Sequence, residues 1–415
     1  MPTKQVPIYE LQVGMYVTKL DLSWFRSPFL RHSFLIEEAS QIAQLVRAGV
    51  KTVEVDLERG TYVRCLKNST GLTDTTTQLS PSAQTLPNRP PKSLAQLNEE
   101  YAQAKLAKKQ LDQAVHSLFS TFSKSGTVDT GQAADAVQEI TIVTRTLASS
   151  AIFMALSQNR AGDATLSQHA LTVCTLSLIL GQTFQLNPLE LQELATAALL
   201  HDIGLLQIPP HILQHTHTTS SSLTQSERQQ LHTHPRLSIL TLERQGGYAA
   251  VVLHLIGDHH AYLDGSGYPQ ETRGEFTSQR TRILMITDRY DELISGFGGA
   301  SPLAPHQALQ RLYQEAQEGT LDREIMSRFI KIIGIYPVHS HVQLNTKEVA
   351  VVTNLNPTAL HHPVVTITHD PQGAGYPTPL VVDLAQQENQ QQERMVESVL
   401  DTTPVSFPSS ATRAA

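Results

Sequence analysis

The sequence predicts a mainly α protein, with a helical domain in the middle of the chain, a small α+β domain ahead of it and a short β tail behind it. Three observations carry this expectation. From Thr130 to about Ile335 apolar residues recur at helical spacing in one segment after another. At both ends of the chain the period drops to two, as in half-buried strands. A stretch poor in large apolar residues separates the first unit from the helices. With 415 residues, of which 40% are hydrophobic, the chain can bury a sizeable core and fits two or three domains.

Residues 1–66 read as the small α+β domain. Strands are expected at residues 6–9 and 15–20, with Gly14 at the turn between them. Residues 37–48 follow as a helix through Ile42, Ala43, Leu45 and Val46, and Val53, Val55 and Leu57 alternate as a third strand. Residues 67–92 are rich in Ser, Thr, Gln and Pro and read as a flexible linker. Residues 93–129 hold a connector helix. Its stripe of Leu94, Leu97, Tyr101, Leu106, Leu111, Val115 and Leu118 suits a coiled coil, and through it a homodimer, or equally plain packing.

The helical domain is expected over residues 130–340, about 200 residues in all. Its helices are predicted at 133–156, 167–181, 188–200, 224–244, 248–259, 280–295, 305–318 and 323–334. Asn187 followed by Pro188 is a helix-start signature. Residues 341–385 form the β tail, with strands at 342–344, 348–353 and 363–368. Residues 386–415, Gln/Glu-rich and then Ser/Thr/Pro-rich, are expected to be disordered.

Composition narrows the function. Lys+Arg is 31 against Asp+Glu 38, a formal charge of −7, so the basic footprint of a nucleic-acid binder is missing. Two distant cysteines, Cys65 and Cys174, argue against a disulfide framework or a thiolate zinc site. The polar N-terminus reads as no signal peptide and no apolar run has the length of a membrane span, so a soluble cytoplasmic protein is expected. Histidine, with 18 copies, is the compositional outlier.

The chemistry starts at His201-Asp202, which ends the apolar run 195–200 and precedes Ile203-Gly204. Such a pair is costly to bury unless it is paired or binds a metal. Imidazole and carboxylate are ligands for divalent zinc, iron or manganese. Neighbouring helical residues point about 100° apart, so the Asp can bridge two ions while the His binds one. Further candidates follow at helix ends or on apolar helices: His169, His234, the pair His259-His260, and Asp288. One histidine alone is more often an ordinary core or surface residue; the ordered set is the informative feature. His211, His215, His217, His232, His254 and the tail histidines are assigned no role.

His169, His201-Asp202-Ile203-Gly204, His234-Pro235, His259-His260, Asp264-Gly265-Ser266-Gly267-Tyr268-Pro269 and Asp288 together resemble the HD-GYP branch of the HD phosphohydrolases, over about residues 140–335. Val13-Gly14-Met15-Tyr16-Val17, Ser23-Trp24 and Pro28-Phe29 are similar to a small domain often found ahead of it. The resemblance implies a bacterial phosphodiesterase that opens cyclic di-GMP to pGpG or GMP with two iron or manganese ions. One ion would be held by His169, His201, Asp202 and Asp288, the other by Asp202, His234, His259 and His260. Thr165 stands where family members with a third ion carry Glu. The resemblance further implies that Asp264, Gly265, Gly267, Tyr268 and Pro269 form a loop near the site that meets substrate or a GGDEF diguanylate cyclase partner.

The chain departs from the family at three places. Leu205 replaces a phosphate-contacting Lys, Ala261 replaces Glu after the His pair, and residues 295–302 lack the usual basic segment, for which Arg273, Arg280, Arg282 and Arg289 are substitutes within reach in sequence. A lost charge-assisted contact costs about 1.5–3 kcal/mol. Two alternatives to the cyclic di-GMP phosphodiesterase therefore stand: a non-catalytic HD-GYP module that binds nucleotide or a cyclase partner, and a hydrolase of another phosphate ester.

Overall fold

The computed structural model describes residues 3–8, 11–20, 34–38, 41–42, 45–46, 50–60, 93–156, 165–216, 223–269, 277–297, 301–356, 358–387 and 393–400; of residues 57–60 and 214–216 it describes the backbone only. The linker 67–92, the Ser23-Trp24 and Pro28-Phe29 motifs, Cys65 and Arg273 lie outside these residues, as does half of the helix expected at 37–48; of its described positions 41–42 and 45–46 are helical and 37–38 are not.

Four strands near the N-terminus, β1 (Thr3–Pro7), β2 (Met15–Leu20), β3 (Phe34–Leu35) and β4 (Thr52–Gly60), form an antiparallel sheet in the order β1-β4-β2-β3. Val6 faces Val53 across β1 and β4, and both join Met15, Val17, Ile36, Leu45 and Val55 in a core of their own.

Helix α1 (Leu94–Ser125) opens the helical region with Ser93 and Gln96 in a reciprocal cap. Leu111, Val115, Leu118, Phe119 and Phe122 enter the main core, so the apolar stripe is used for packing inside the chain. Leu106, 62% exposed, is the large apolar side chain that α1 presents to solvent among the described residues. The single helix expected over 133–156 is two, α2 (Thr130–Thr146) and α3 (Ala148–Leu156), bent by 114°. The burial pattern supplies the reason. α2 buries one face through Ala133, Ala136, Val137 and Ile140, whereas α3 is apolar nearly all round and has to turn into the interior.

α4 (Leu166–Thr183) and α5 (Pro188–Leu200) pack against each other, α5 starting at the Asn187 cap. A 3-10 turn (Ile203–Gln207) and the short α6 (Pro210–Thr216) follow where the sequence reads as loop. The helix expected over 224–244 is again two, α7 (Gln225–Leu231) and α8 (His234–Gln245). Pro235 sits in the first turn of α8, where its missing N–H costs nothing, and it would break a helix interior. α9 (Ala250–Gly257), α10 (Gln279–Ser295), α11 (Pro305–Glu318) and α12 (Arg323–Ile333) complete the bundle.

The tail is larger than its sequence pattern indicates. β5 (His341–Leu344), β6 (Val349–Asn354), β7 (Val364–His369), β8 (Gly375–Asp383) and β9 (Val396–Val399) form an antiparallel sheet in the order β8-β7-β6-β5-β9. Pro377 and Pro379 disguise β8, and an edge strand tolerates them. β9 corrects the disorder expected from residue 386 onward: Val399 pairs with Val342, and the Lys347–Glu397 and Arg394–Glu348 ion pairs hold the segment. Among the described residues no single helix is long and apolar enough to cross a membrane.

Candidate metal centre

Five helices deliver the ligand-type side chains, and three of them do so from their ends. The last carbonyls of a helix have no intrahelical partner. His201 follows α5 and its Nδ1 lies 2.9 Å from the Ala198 carbonyl. His234, beyond α7, places Nδ1 2.8 Å from the Leu231 carbonyl. His259, beyond α9, places Nδ1 2.6 Å from the Ile256 carbonyl. In each case the ring donates Nδ1–H to a free helix-end carbonyl, which fixes the tautomer and leaves the Nε2 lone pair pointing inward. His169, within α4, uses a side chain instead: its Nδ1 is 2.7 Å from Oδ2 of Asp291.

The inward nitrogens converge on carboxylate oxygens. Asp202 Oδ2 lies 3.5 Å from Nε2 of both His169 and His201, while its Oδ1 lies 3.0 Å from Nε2 of His234 and 3.6 Å from Nε2 of His259. One carboxylate therefore faces two pairs of imidazoles, one with each oxygen. Asp288, on α10, behaves similarly: Oδ1 is 3.1 Å from His169 and 3.4 Å from His201, and Oδ2 is 3.7 Å from Nδ1 of His260. All seven side chains are buried, none more than 6% exposed.

These donors fit divalent cations. The Nε2 atoms of His169 and His201 are 3.2 Å apart, and those of His234 and His259 are 3.3 Å apart. With Nδ1–H turned outward, lone pairs face lone pairs and carboxylate oxygens in a buried space. Asp202 Oδ1 is buried there without a hydrogen bond. A buried, unsatisfied charge of this kind is costly, and a shared cation relieves it. Four overlapping, mutually close donor groups result among the described residues: two share Asp202, one with His234, His259 and His260 and one with His169 and His201, and two share Asp288, one with His201 and His259 and one with His260 and Glu292.

Electrostatics follow the same division. Burial opposes charge throughout, yet the carboxylates of Asp288 and Asp291 outweigh it at His169 and hold that imidazole well above its ordinary pKa. At His259 and His260 burial and the neighbouring imidazoles prevail and lower the pKa. Against the same burial, adjacent histidines hold Asp202 and Asp288 well below the usual carboxylate range. Glu292, one turn after Asp288, is pushed up to about 7 by burial and by Asp288, with Arg289 pulling the other way.

The backbone around the ligands is tight. The Ser238 hydroxyl donates to the His201 carbonyl and accepts from Gly204 N–H, at 2.7 and 2.9 Å. A Cβ at Gly204 would lie 2.3 Å from the His234 carbonyl, and one at Gly267 would lie 1.9 Å from the His260 carbonyl. Only glycine permits these approaches, which bring α8 onto the His-Asp turn and the 264–269 loop onto the His pair.

Within that loop the residues divide. Tyr268 reaches the mouth of the site: its ring stacks on exposed His232 at 4.0 Å and lies 4.6 Å from the His260 ring. Pro269 follows it through a cis peptide bond. Asp264 and Gly265 are exposed, and Asp264 is occupied by Ser266 and by Thr320. Thr165 caps α4, accepting from Gln168 N–H at 3.3 Å. Leu205 is buried with Ile208 and Ile212 in an apolar cluster that also includes Phe297, whose ring stacks on His169 at 4.4 Å. Arg280 pairs with Glu193, Arg282 with Asp322, and Arg289 with Glu292 and Glu315.

The sequence reading missed Asp291, Glu292, Phe297 and the three carbonyl partners. Asp291 had a signal, since it lies one helical turn from Asp288 on an apolar helix. The carbonyls had only the position of each His at a helix end.

Residues 164–325 match the family described as "HD domain". The chain carries an HD domain. Residues 3–133, ahead of the HD domain, match the "Domain of unknown function (DUF3391)". A cyclic di-GMP phosphodiesterase of Pseudomonas aeruginosa is 28% identical over 370 residues, covering 88% of this chain and 84% of that protein. A 3'3'-cGAMP-specific phosphodiesterase of Vibrio cholerae is 29% identical over 164 residues, 40% of this chain and 37% of its own. A cyclic di-GMP phosphodiesterase response regulator of Xanthomonas campestris is 32% identical over 133 residues, 32% of this chain and 34% of its own. A solved HDG"Y"P protein of Bdellovibrio bacteriovorus aligns with a TM-score of 0.46 and 16% identity, over 80% of this chain and 99% of that one.

Proposed function

We propose that this chain is a metal-dependent phosphodiesterase that opens cyclic di-GMP to pGpG or GMP, using two iron or manganese ions, in the cytoplasm of a bacterial cell. The observation that carries the reading is Asp202, whose two oxygens face two separate histidine pairs with Oδ1 left unsatisfied. The choice of substrate follows the Pseudomonas relative, which is matched along most of both chains.

His169, His201, Asp202 and Asp288 would hold one ion, and Asp202, His234, His259 and His260 the other. Bound divalent ions supply Lewis acidity to phosphoryl oxygens and acidify a water. The protein fixes the ligand geometry. Asp202 orients both donor sets from one carboxylate, and the helix-end carbonyls hold three imidazoles in one tautomer. Tyr268 and His232 wall the mouth and offer an aromatic face to a base. Loop 264–269 would be the contact for a GGDEF partner, and a homodimer through α1 would use the face that carries Leu106.

The test is incubation of protein loaded with Fe(II) or Mn(II), under reducing conditions, with cyclic di-GMP and separately with 3'3'-cGAMP, resolving products by chromatography. Linear pGpG or GMP from cyclic di-GMP is the expected result. No product from cyclic di-GMP in metal-replete protein would overturn the assignment. The non-catalytic reading draws on Leu205 lying in an apolar cluster and on the engagement of Arg280, Arg282 and Arg289 in ion pairs. It expects nucleotide binding without turnover.

A further inference from the structure

The two donor sets that share Asp202 leave out Glu292 and the second approach that His260 makes. His260 is 6% exposed and is the one ligand-type imidazole that turns Nδ1, not Nε2, toward a site carboxylate, 3.7 Å from Asp288 Oδ2. Its ring also packs against those of His259, His234 and Tyr268, at 4.0, 5.2 and 4.6 Å. Glu292 lies four residues after Asp288, on the same face of α10. Donor atoms of His260, Asp288 and Glu292 all fall within 4.8 Å of one another. The Asp288 and Glu292 carboxylates, brought together on one face of the helix, repel each other unless a cation lies between them. The nearest guanidinium, Arg289, lies 3.0 Å from Glu292 but is shared with Glu315 at 3.3 Å.

The geometry points to Glu292 as an additional protein ligand that, with His260 and Asp288, closes a cation position on the α10 side of the cluster. This rests on the metal reading above and adds to it a carboxylate absent from both donor sets. It also gives Asp288 a second function: its Oδ1 serves His169 and His201, and its Oδ2 serves the position shared with Glu292. Arg289 then acts as a positioning residue that holds the Glu292 carboxylate at the end of its reach.

Full-length protein stripped with chelator and titrated with Mn(II) alone tests this, with free Mn(II) read by electron paramagnetic resonance and bound metal by elemental analysis. Glu292→Gln is expected to weaken one bound equivalent at least about ten-fold and leave the rest unchanged. Arg289→Gln, which removes the ion pair but keeps the carboxylate, is expected to retain that equivalent. Equal stoichiometry and affinity in wild type and Glu292→Gln would overturn the inference and leave the metal centre intact. Equal losses in Glu292→Gln and Arg289→Gln would also overturn it, since the ion pair and not ligation would then be responsible. A wild-type chain that binds no Mn(II) would overturn the inference together with the reading beneath it.

Discussion

The floor of the site and its mouth are built on different terms. At the floor, seven buried side chains converge with nitrogen–oxygen distances of 3.0–3.7 Å, and each imidazole of the His169, His201, His234 and His259 group has its outer nitrogen tied down. At the mouth, Leu205 and Phe297 form an apolar wall and the His232–Tyr268 stack stands half open. Arg280, Arg282 and Arg289 are committed to carboxylates. Ligation needs particular atoms at particular places, so the floor has little freedom. Contacts to a substrate's outer groups can come from many directions, so the mouth has much.

Asp202→Asn is the sharpest way to break this comparison. It removes the charge shared by both donor sets, and Mn(II) binding and turnover should each fall by about a hundred-fold or more. Elemental analysis and a cyclic di-GMP assay measure this. Undiminished binding would show that the two sets do not depend on one carboxylate. Next in size is Asp291→Asn. Its carboxylate belongs to no donor set but orients His169 from behind, and its loss should cost about ten- to a hundred-fold in metal affinity, read by the same titration. An effect below two-fold would place the rigidity of the floor elsewhere.

The smallest effect belongs to the mouth. Leu205→Lys puts an ammonium among Ile208, Ile212 and Phe297 and should cost about 1–3 kcal/mol of stability by thermal unfolding, with kcat/KM changing less than ten-fold. A large gain in turnover would reverse the comparison, because the mouth would then be what limits the enzyme.

The same contrast explains what could be read in advance. His169, His201-Asp202, His234, His259-His260 and Asp288 stood out because metal chemistry allows few residue types and places them at helix ends. The carbonyls of Ala198, Leu231 and Ile256 were invisible because every residue has one. Glu292 was hidden among ordinary helix-surface acids until α10 turned it toward His260. The helix breaks at Leu147 and before His234 escaped because periodicity continues through a bend when both pieces bury apolar residues. β8 and β9 escaped because an edge strand needs backbone pairing more than an apolar pattern.

The place of β9 has a practical consequence for anyone trimming the chain. Its four residues cover the outer side of β5 and arrive after a polar stretch that looks dispensable. A protein ending near residue 390 would leave a row of bare amides and carbonyls along β5, open to pairing with a second molecule. Such a shortened chain should self-associate in light scattering, although every proposed metal ligand would still be in place.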